Sequence, residues 1–129
     1  MCGIVGAIAL TKNQDLLSKN MDDALAVLSH RGPDHNEKFQ IKNGFLGHLR
    51  LSILDLSEAG NQPMHSNDGR YSIIYNGEVY NFLELKEDLR GLGHDFTNRT
   101  DTEVILEAYI EWGRDVFPKL NGMFSFAIY

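Results

Sequence analysis

The chain has 129 residues, 43% of them hydrophobic and 10% aromatic, which is enough apolar material for one folded domain with a core of its own. A formal charge of −6 without any basic cluster argues against nucleic acid as a partner. One cysteine excludes an internal disulfide, and no apolar run approaches the ~20 residues of a membrane span, so we expect a cytoplasmic protein with no membrane partner.

The opening quarter of the chain predicts a strand and then a helix. Residues 3–9 form a short apolar run that is typical of a buried strand, which places the sole cysteine, Cys2, at the start of that strand. From Gln14 to about Leu28, apolar residues recur at helical spacing. The turn-forming sequence Arg31-Gly32-Pro33-Asp34 follows the helix, and we expect its two charged side chains to pair locally.

The next segment predicts a β-hairpin and a long irregular loop. Strands over 38–41 and 45–49 flank Asn43-Gly44, a dipeptide that favours the tight turn of a hairpin. Residues 55–69 are polar and rich in turn formers, so we expect a loop without regular structure. Loops of this length are often functional.

The second half of the chain predicts another strand and two helices. The strand covers 70–75 and is expected to end at Asn76-Gly77, which taken alone is typical of a type I′ turn. Apolar residues recur at helical spacing over 82–92 and again over 104–112. Thr100 and Glu103 have the spacing of a capping box at the start of the second helix.

The chain ends in a run of alternating residues over 123–129, which predicts a last strand. Because the sequence stops within this run, we expect the front part of a longer domain, with an exposed sheet edge. Interleaved helices and strands that include a hairpin favour an α+β sandwich over a doubly wound parallel sheet. The aromatic side chains expected in its core are those of Tyr109, Trp112, Phe124 and Phe126.

Cys2 directly follows the initiator methionine. Once Met1 is removed, one residue carries both a thiol nucleophile and a free α-amine, which is the arrangement of an N-terminal nucleophile hydrolase. A lone cysteine in an apolar run can equally be a small buried hydrophobic residue. The five histidines are scattered, and neither a metal-ligand spacing nor a phosphate-binding glycine motif occurs, so we expect no metal and no cofactor in this chain.

Six motifs follow one another along nearly the whole chain. They are Met1-Cys2-Gly3-Ile4-Val5-Gly6, Arg31-Gly32-Pro33-Asp34, Leu46-Gly47-His48-Leu49-Arg50-Leu51-Ser52-Ile53, Asn61-Gln62-Pro63-Met64, Tyr75-Asn76-Gly77-Glu78-Val79-Tyr80-Asn81 and Asp101-Thr102-Glu103-Val104-Ile105-Leu106. Together they resemble the N-terminal glutaminase domain of the glutamine-hydrolysing asparagine synthetases, a branch of the class II amidotransferases. The resemblance implies that residues 1–129 have an Ntn-hydrolase fold, a four-layer αββα sandwich of antiparallel sheets, with the C-terminal part of the domain missing.

The resemblance also implies a reaction, in which L-glutamine and water give glutamate and ammonia. Cys2 would be the nucleophile, and a thioester would be the intermediate. Asn76 and Gly77 would donate hydrogen bonds to the tetrahedral oxyanion, because asparagine supplies a side-chain N–H and glycine lets its backbone N–H approach closely.

The resemblance places a further set of residues around the glutamine. Arg50 would bind the α-carboxylate bidentately. Asp101 would accept from the α-ammonium, although its position also suits plain capping of the helix that follows. The remaining substrate-binding residues implied in this way are Leu51, Ser52, Ile53, Leu54 and Glu78.

In the family, the ammonia passes to an ATP- and Mg²⁺-dependent synthetase domain that amidates aspartate, and the resemblance leaves room for a homodimer. No part of that synthetase domain lies in these residues. Three interpretations therefore stay open: the glutaminase domain of an asparagine synthetase or of a relative that aminates another acceptor, an inactive glutamine-binding or regulatory fragment, and an interaction domain in which Cys2 is structural. A retained Met1 would favour the second, because it blocks the amine that acts as the base.

Overall fold

The computed structural model describes residues 2–9 and 14–129. The strands and helices in chain order are β1 (Gly3–Ile8), α1 (Gln14–Leu28), β2 (His35–Ile41), β3 (Gly44–Arg50), β4 (Met64–His65), β5 (Ser72–Val79), α2 (Phe82–Gly91), α3 (Asp101–Trp112) and β6 (Gly122–Ile128). Short 3₁₀ segments cover Ser29–Arg31, Glu58–Gly60 and Gly113–Lys119. None of the described helices is both long enough and apolar enough to cross a bilayer.

The strands form two antiparallel sheets of three strands each. The first sheet has the order β1-β3-β2, and the second has the order β4-β5-β6. Helix α1 covers the outer face of the first sheet, where Met21 and Leu25 approach Gly47 of β3. Helices α2 and α3 cover the outer face of the second sheet. This arrangement of four layers confirms the predicted α+β sandwich of antiparallel sheets.

Two apolar clusters pack the two sheets against each other and the helices α2 and α3 against the second sheet. The larger cluster lies between the second sheet and the helices α2 and α3, and the smaller one lies between the two sheets. Ile73 belongs to the larger cluster and Ile74 to the smaller one, because successive residues of a strand face opposite sides of the sheet. Strand β5 is therefore buried on both faces at its start and ties the sandwich together.

The predicted hairpin is confirmed, but its turn differs from the expected one. Strands β2 and β3 pair as far as Ile41 and Gly44, so the turn consists of Lys42 and Asn43. None of the described non-glycine residues has a positive φ, so this turn is not of type I′. Gly44 is required for another reason, since a Cβ there would overlap the carbonyl oxygen of Ala7 in β1.

Strand β5 is longer than predicted. It continues through Asn76 and Gly77 to Val79 and stays paired with β6 throughout. The prediction that the strand ends before Asn76-Gly77 is therefore wrong, and the type I′ turn that this dipeptide taken alone would favour does not form. Gly77 has a φ of 156°, and a Cβ there would overlap the carbonyl oxygen of Met123, so this glycine permits close approach of two strands and forms no turn.

Two further predictions are wrong. Phe124 lies on the edge strand β6 with 37% of its surface exposed, so it is not a core residue, whereas the other three aromatic residues pack against the larger cluster. The segment 55–69 is not irregular throughout, because it contains a 3₁₀ turn and the two residues of β4. Strand β4 pairs with Ser72 and Ile73 and supplies backbone partners to the start of β5.

His48 connects the two sheets. Its side chain is fully buried, and its Nε2 donates to the carbonyl oxygen of Tyr75 in β5 across 3.2 Å. Its Nδ1 is a buried nitrogen without a hydrogen-bond partner in residues 2–9 and 14–129. Burial lowers the pKa of His48 from 6.5 to about 4, and the positive charge of Arg50 contributes to the lowering. The imidazole is therefore neutral at physiological pH.

We expect acid to destabilise the chain through His48. The unfolded chain binds this proton near pH 6.5 and the folded chain only near pH 4, so stability present above pH 6.5 is lost as the pH falls toward 4. The difference corresponds to roughly 3 kcal/mol. Urea unfolding between about pH 7 and about pH 4 measures this loss. His48→Gln keeps a donor without titrating, so its loss should be smaller, and equal losses in both proteins would contradict the assignment.

Candidate active site

A cavity of about 220 Å³ opens between the start of β1, the end of β3, the edge of β5 and the start of α3. Nine of the ten predicted site residues line it: Cys2, Arg50, Leu51, Ile53, Leu54, Asn76, Gly77, Glu78 and Asp101. The tenth, Ser52, lines a neighbouring cleft. Pockets for drug-sized ligands measure roughly 300–1,000 Å³, so this volume suits a smaller metabolite.

Cys2 lies where the start of β1 meets the end of β3. Gly3 pairs with Leu49, so the residue before Gly3 is placed beside the segment that follows β3. The backbone N–H of Leu51 donates to Cys2 Sγ at 3.4 Å. The cysteine is half-buried and lines the cavity, unlike an inert core thiol. The structure thus gives the sulfur both a fixed position and access to a ligand.

Two side chains of the turn sequence between α1 and β2 hydrogen-bond to the backbone on both sides of this site. Arg31 Nε donates to the carbonyl oxygen of Cys2 at 2.9 Å. Asp34 Oδ2 accepts from the backbone N–H of Ser52 at 2.7 Å, and Asp34 N–H donates to the carbonyl oxygen of Arg50. The predicted local pair between Arg31 and Asp34 is therefore wrong, because each side chain binds a backbone group of a different strand end.

Arg50 places a buried guanidinium in the wall of the cavity, with 6% of the residue exposed. It donates to the carbonyl oxygens of Asp55 and Ser57 and to Asn61 Oδ1. No carboxylate of the described residues lies within ion-pairing distance of it. Neutral acceptors hold the side chain in place without cancelling its charge, so this wall of the cavity suits an anion.

Strand β5 pairs with β6 along one edge, and after Ile73 no described strand covers its other edge. Ser72 and Tyr80 each donate their backbone N–H toward the β6 side. Bonded and non-bonded residues alternate along an antiparallel pair, so residues 75, 77 and 79 direct their N–H groups away from β6. This open edge is one wall of the cavity.

Two of the three N–H groups on the open edge have side-chain acceptors. Gln62 Oε1 accepts from Tyr75 N–H at 2.6 Å, and Asp101 Oδ2 accepts from Val79 N–H at 3.1 Å. The N–H of Gly77 lies between them and has no side-chain acceptor among the described residues. Since Gly77 lines the cavity, its N–H is a donor available to a ligand.

Asn76 is half-buried and lines the same cavity. Its side-chain amide makes no hydrogen bond to another residue of the described part of the chain. The amide of Asn76 and the backbone N–H of Gly77 are thus two neighbouring donors to which the described part of the chain offers no side-chain acceptor, in the cavity that also holds the Cys2 thiol. Donors of this kind, fixed before a ligand arrives, can stabilise a negatively charged oxygen.

Asp101 is the first residue of α3, and only 4% of it is exposed. Its Oδ2 accepts from the hydroxyl of Tyr75 at 2.5 Å as well as from Val79 N–H. The carboxylate is therefore turned toward β5. Thr100 caps the helix, since its Oγ1 accepts from Glu103 N–H at 3.3 Å, so the alternative in which Asp101 only caps the helix is wrong.

Only half of the predicted capping box is formed. Thr100 supplies the side-chain cap, but the carboxylate of Glu103 does not return to the backbone N–H of Thr100. It accepts instead from the backbone N–H groups of Thr97 and Asn98, at 2.8 and 3.0 Å. The chain before α3 is therefore folded back onto the first turn of the helix, which supports the position of Asp101.

The cavity is also lined by residues that are not among the predicted site residues, namely Asp55, Gly60, Gln62, Tyr75, Thr100, Thr102 and Met123. Gln62 connects β5 with α3. Its Oε1 accepts from Tyr75 N–H, and its Nε2 donates to Thr102 Oγ1 at 3.2 Å. The motif Asn61-Gln62-Pro63-Met64 marks the position, but nothing local in a loop sequence indicates these distant partners.

The chemistry of the cavity is that of a site for a small zwitterion beside a nucleophile. Arg50 offers a positive charge on β3, and Asp101 offers a carboxylate at the start of α3. Cys2 supplies a thiol, and the donors of Asn76 and Gly77 lie on the edge of β5. An α-amino acid whose side chain carries a carbonyl group has the charges and the reactive carbon that such a site accepts.

Comparison with known sequences identifies the family of this chain. A family model described as a glutamine amidotransferase domain matches residues 1–129. The chain is 42% identical over 132 residues to glutamine-hydrolyzing asparagine synthetase 3 of Bacillus subtilis, which covers 100% of this chain and 21% of that protein. It is 36% identical over 129 residues to asparagine synthetase B of Escherichia coli, covering 100% of the chain and 23% of that protein. The chain thus spans less than a quarter of the length of these relatives.

Comparison with solved structures concerns the fold. The glutamine phosphoribosylpyrophosphate amidotransferase from B. subtilis, complexed with ADP and GMP, matches with a TM-score of 0.58 and 26% identity over 67% of this chain and 21% of that chain. A structure described as the allosteric regulatory enzyme of purine biosynthesis matches with a TM-score of 0.55, 26% identity and the same coverage of both chains. Both likenesses agree with the antiparallel α+β sandwich.

Proposed function

The chain belongs to the glutamine amidotransferase domain family, and from this premise we propose that residues 1–129 are a domain that hydrolyses L-glutamine to glutamate and ammonia. The observation that carries the proposal is the cavity that holds the Cys2 thiol together with the unpartnered donors of Asn76 and Gly77. In the parent protein, the ammonia would be used by an ATP-dependent synthetase domain with aspartate as the acceptor.

The proposed reaction begins once Met1 has been removed. The Cys2 sulfur attacks the side-chain amide carbon of glutamine, and the thiol proton passes to the α-amine of Cys2, directly or through water. From there the proton reaches the amide nitrogen, which leaves as ammonia when the C–N bond breaks. Water then attacks the thioester, so that glutamate departs and the thiol is restored. Each step passes through a tetrahedral oxyanion.

We assign the oxyanion to the two donors on β5. The N–H of Gly77 is held in position because the N–H groups on both sides of it are bonded, to Gln62 and to Asp101. The amide of Asn76 supplies a second donor that needs no rearrangement to become free. Donors that are oriented before the charge develops stabilise the transition state more than the substrate, which is the requirement for catalysis.

We propose that Arg50 binds the α-carboxylate of glutamine and that Asp101 binds its α-ammonium. The acceptors that hold the Arg50 side chain are uncharged, so its positive charge stays available for a carboxylate. A planar guanidinium can bind both oxygens of a carboxylate at once. Leu51 contributes its backbone at the nucleophile, and Ile53 and Leu54 border the cavity. The backbone N–H of Ser52 is bound to Asp34 and is therefore not free to contact the substrate.

A diazoketone analogue of glutamine tests the proposal, because its electrophilic carbon takes the place of the substrate amide. We expect one covalent adduct per chain, located at Cys2 by peptide mass spectrometry and prevented by excess glutamine. The chain should also release ammonia from glutamine. An adduct at any other residue would show that the proposed nucleophile is wrong.

The chain that retains Met1 is the matched control. It carries the same thiol and the same cavity but lacks the free cysteine amine, so we expect ammonia release only from the processed chain. Intact mass distinguishes the two forms. A processed chain that binds glutamine without releasing ammonia would identify a glutamine-binding module instead of a glutaminase.

A further inference from the structure

The backbone N–H, the carbonyl oxygen and the hydroxyl of Tyr75 all make hydrogen bonds with distant residues. Its backbone N–H donates to Gln62 Oε1 at 2.6 Å, and its carbonyl oxygen accepts from His48 Nε2 at 3.2 Å. Its hydroxyl donates to Asp101 Oδ2 at 2.5 Å. Because a buried side chain from another part of the chain fixes each end of its backbone unit, the hydroxyl is a donor in a fixed position.

The bonds to Asp101 leave its two oxygens in different situations. The hydroxyl of Tyr75 and the N–H of Val79 both bind Oδ2, and Oδ1 accepts no hydrogen bond from the described residues. The only fully enclosed side-chain nitrogen or oxygen without a partner in that part of the chain is His48 Nδ1. Oδ1 is therefore open to the cavity that Asp101 lines.

Oδ2 of Asp101 is hydrogen-bonded to the protein. These bonds orient Oδ1 toward the cavity, where a cationic group of a ligand can bind it. Burial, with the Asp101 hydrogen bond contributing, raises the pKa of Tyr75 far above its ordinary value, so the hydroxyl remains a donor at any physiological pH.

We propose that Tyr75 is a positioning residue that makes the site select glutamine by its α-amine, because its hydroxyl orients Asp101 so that Oδ1 meets the ammonium of the substrate. The inference rests on the proposed glutaminase function. It concerns specificity: Tyr75 touches no substrate atom and acts through Asp101. A purely structural hydroxyl would affect all ligands of the cavity alike, whereas this one affects only ligands that carry the amine.

Tyr75→Phe, assayed with two substrates, tests the proposal. The first substrate is glutamine, and the second is glutaramate, which has the same amide and carboxylate but no α-amine. We expect Tyr75→Phe to raise KM for glutamine by about tenfold with little change in kcat, as fits the loss of one hydrogen bond to a charged group. KM for glutaramate should stay unchanged. Equal changes for both substrates would overturn the proposal.

Tyr71→Phe is the matched control. Tyr71 packs edge-on against Tyr109, and its hydroxyl makes no hydrogen bond to another described residue, so its loss should change neither KM. A wild-type chain that does not distinguish glutamine from glutaramate would overturn both this inference and the assignment of Asp101. A wild-type chain that distinguishes them, with Tyr75→Phe still doing so fully, would overturn this inference alone.

A double variant keeps the test decisive even if Tyr75→Phe fails to fold. Tyr75→Phe combined with Asp101→Asn changes both ends of the bond while nearly preserving shape, which costs less than leaving one buried partner alone. We expect its KM for glutamine to equal that of Asp101→Asn by itself, because Tyr75 acts only through the charge of Asp101. A further rise in KM for both substrates would contradict the proposal.

Discussion

Replacing Cys2 by alanine is expected to abolish ammonia release from glutamine while leaving glutamine binding unchanged. The thiol is the only nucleophile assigned in the cavity, so we expect the rate to fall by more than about 10³-fold, to the uncatalysed background. Arg50 and Asp101, the charged groups proposed to bind the substrate, lie on β3 and α3 and are untouched by the change. An ammonia assay and calorimetric titration with glutamine measure the two quantities on the same protein.

The paired variant Cys2→Ser separates chemistry from packing. Serine keeps a small polar group and a free α-amine at the N-terminus, but its hydroxyl is a much weaker nucleophile than a thiol. We expect it to bind glutamine and to release almost no ammonia. If Cys2→Ala released ammonia as fast as the wild-type chain, the nucleophile would have to be another group, and the structural interpretation of Cys2 would be preferred.

Replacing Asn76 by alanine is expected to lower kcat by roughly 10²–10³-fold with little change in KM. The side-chain amide of Asn76 has no partner among the described residues, so its removal leaves no buried group there unsatisfied and should cost little stability. Its proposed partner, the oxyanion, exists only in the tetrahedral states, and for this reason the loss should appear in kcat. Steady-state rates of ammonia release measure the effect.

Asn36→Ala provides the matched comparison. Asn36 is an exposed asparagine of β2 and does not line the cavity, so its replacement should leave both kcat and KM unchanged. A rise in KM for Asn76→Ala without a fall in kcat would contradict the oxyanion assignment. In that case Asn76 would bind the ground state of the substrate.

The order of the helices and strands could be predicted from the sequence because it depends on local spacing. Apolar residues at helical spacing located α1, and turn formers located the hairpin between β2 and β3. The errors arose where long-range pairing overrides a local preference. Asn76-Gly77 has the composition of a turn, but pairing with β6 holds both residues in an extended strand.

In the candidate site, too, local patterns could be predicted from the sequence and contacts between distant segments could not. Cys2 was predicted from its place directly behind Met1, and Arg50 and Asp101 were predicted from the motifs that carry the family resemblance. Tyr75 was not predicted, because an aromatic residue in an apolar strand is most simply a core residue. The partner of its hydroxyl is a carboxylate 26 residues further along the chain. Gln62 lay within a motif, but its partners belong to β5 and α3.

The sequence by itself determined which groups are available for the proposed reaction. They are the Cys2 thiol behind the initiator methionine, the guanidinium of Arg50, the carboxylate of Asp101 and the dipeptide Asn76-Gly77. The tertiary structure decided which of them are free to act. The register of β5 turns the N–H of Gly77 away from β6, and neutral acceptors hold Arg50 without neutralising it. The physical reason is that residue chemistry is local, whereas hydrogen-bond partners and burial are set by segments distant in the chain.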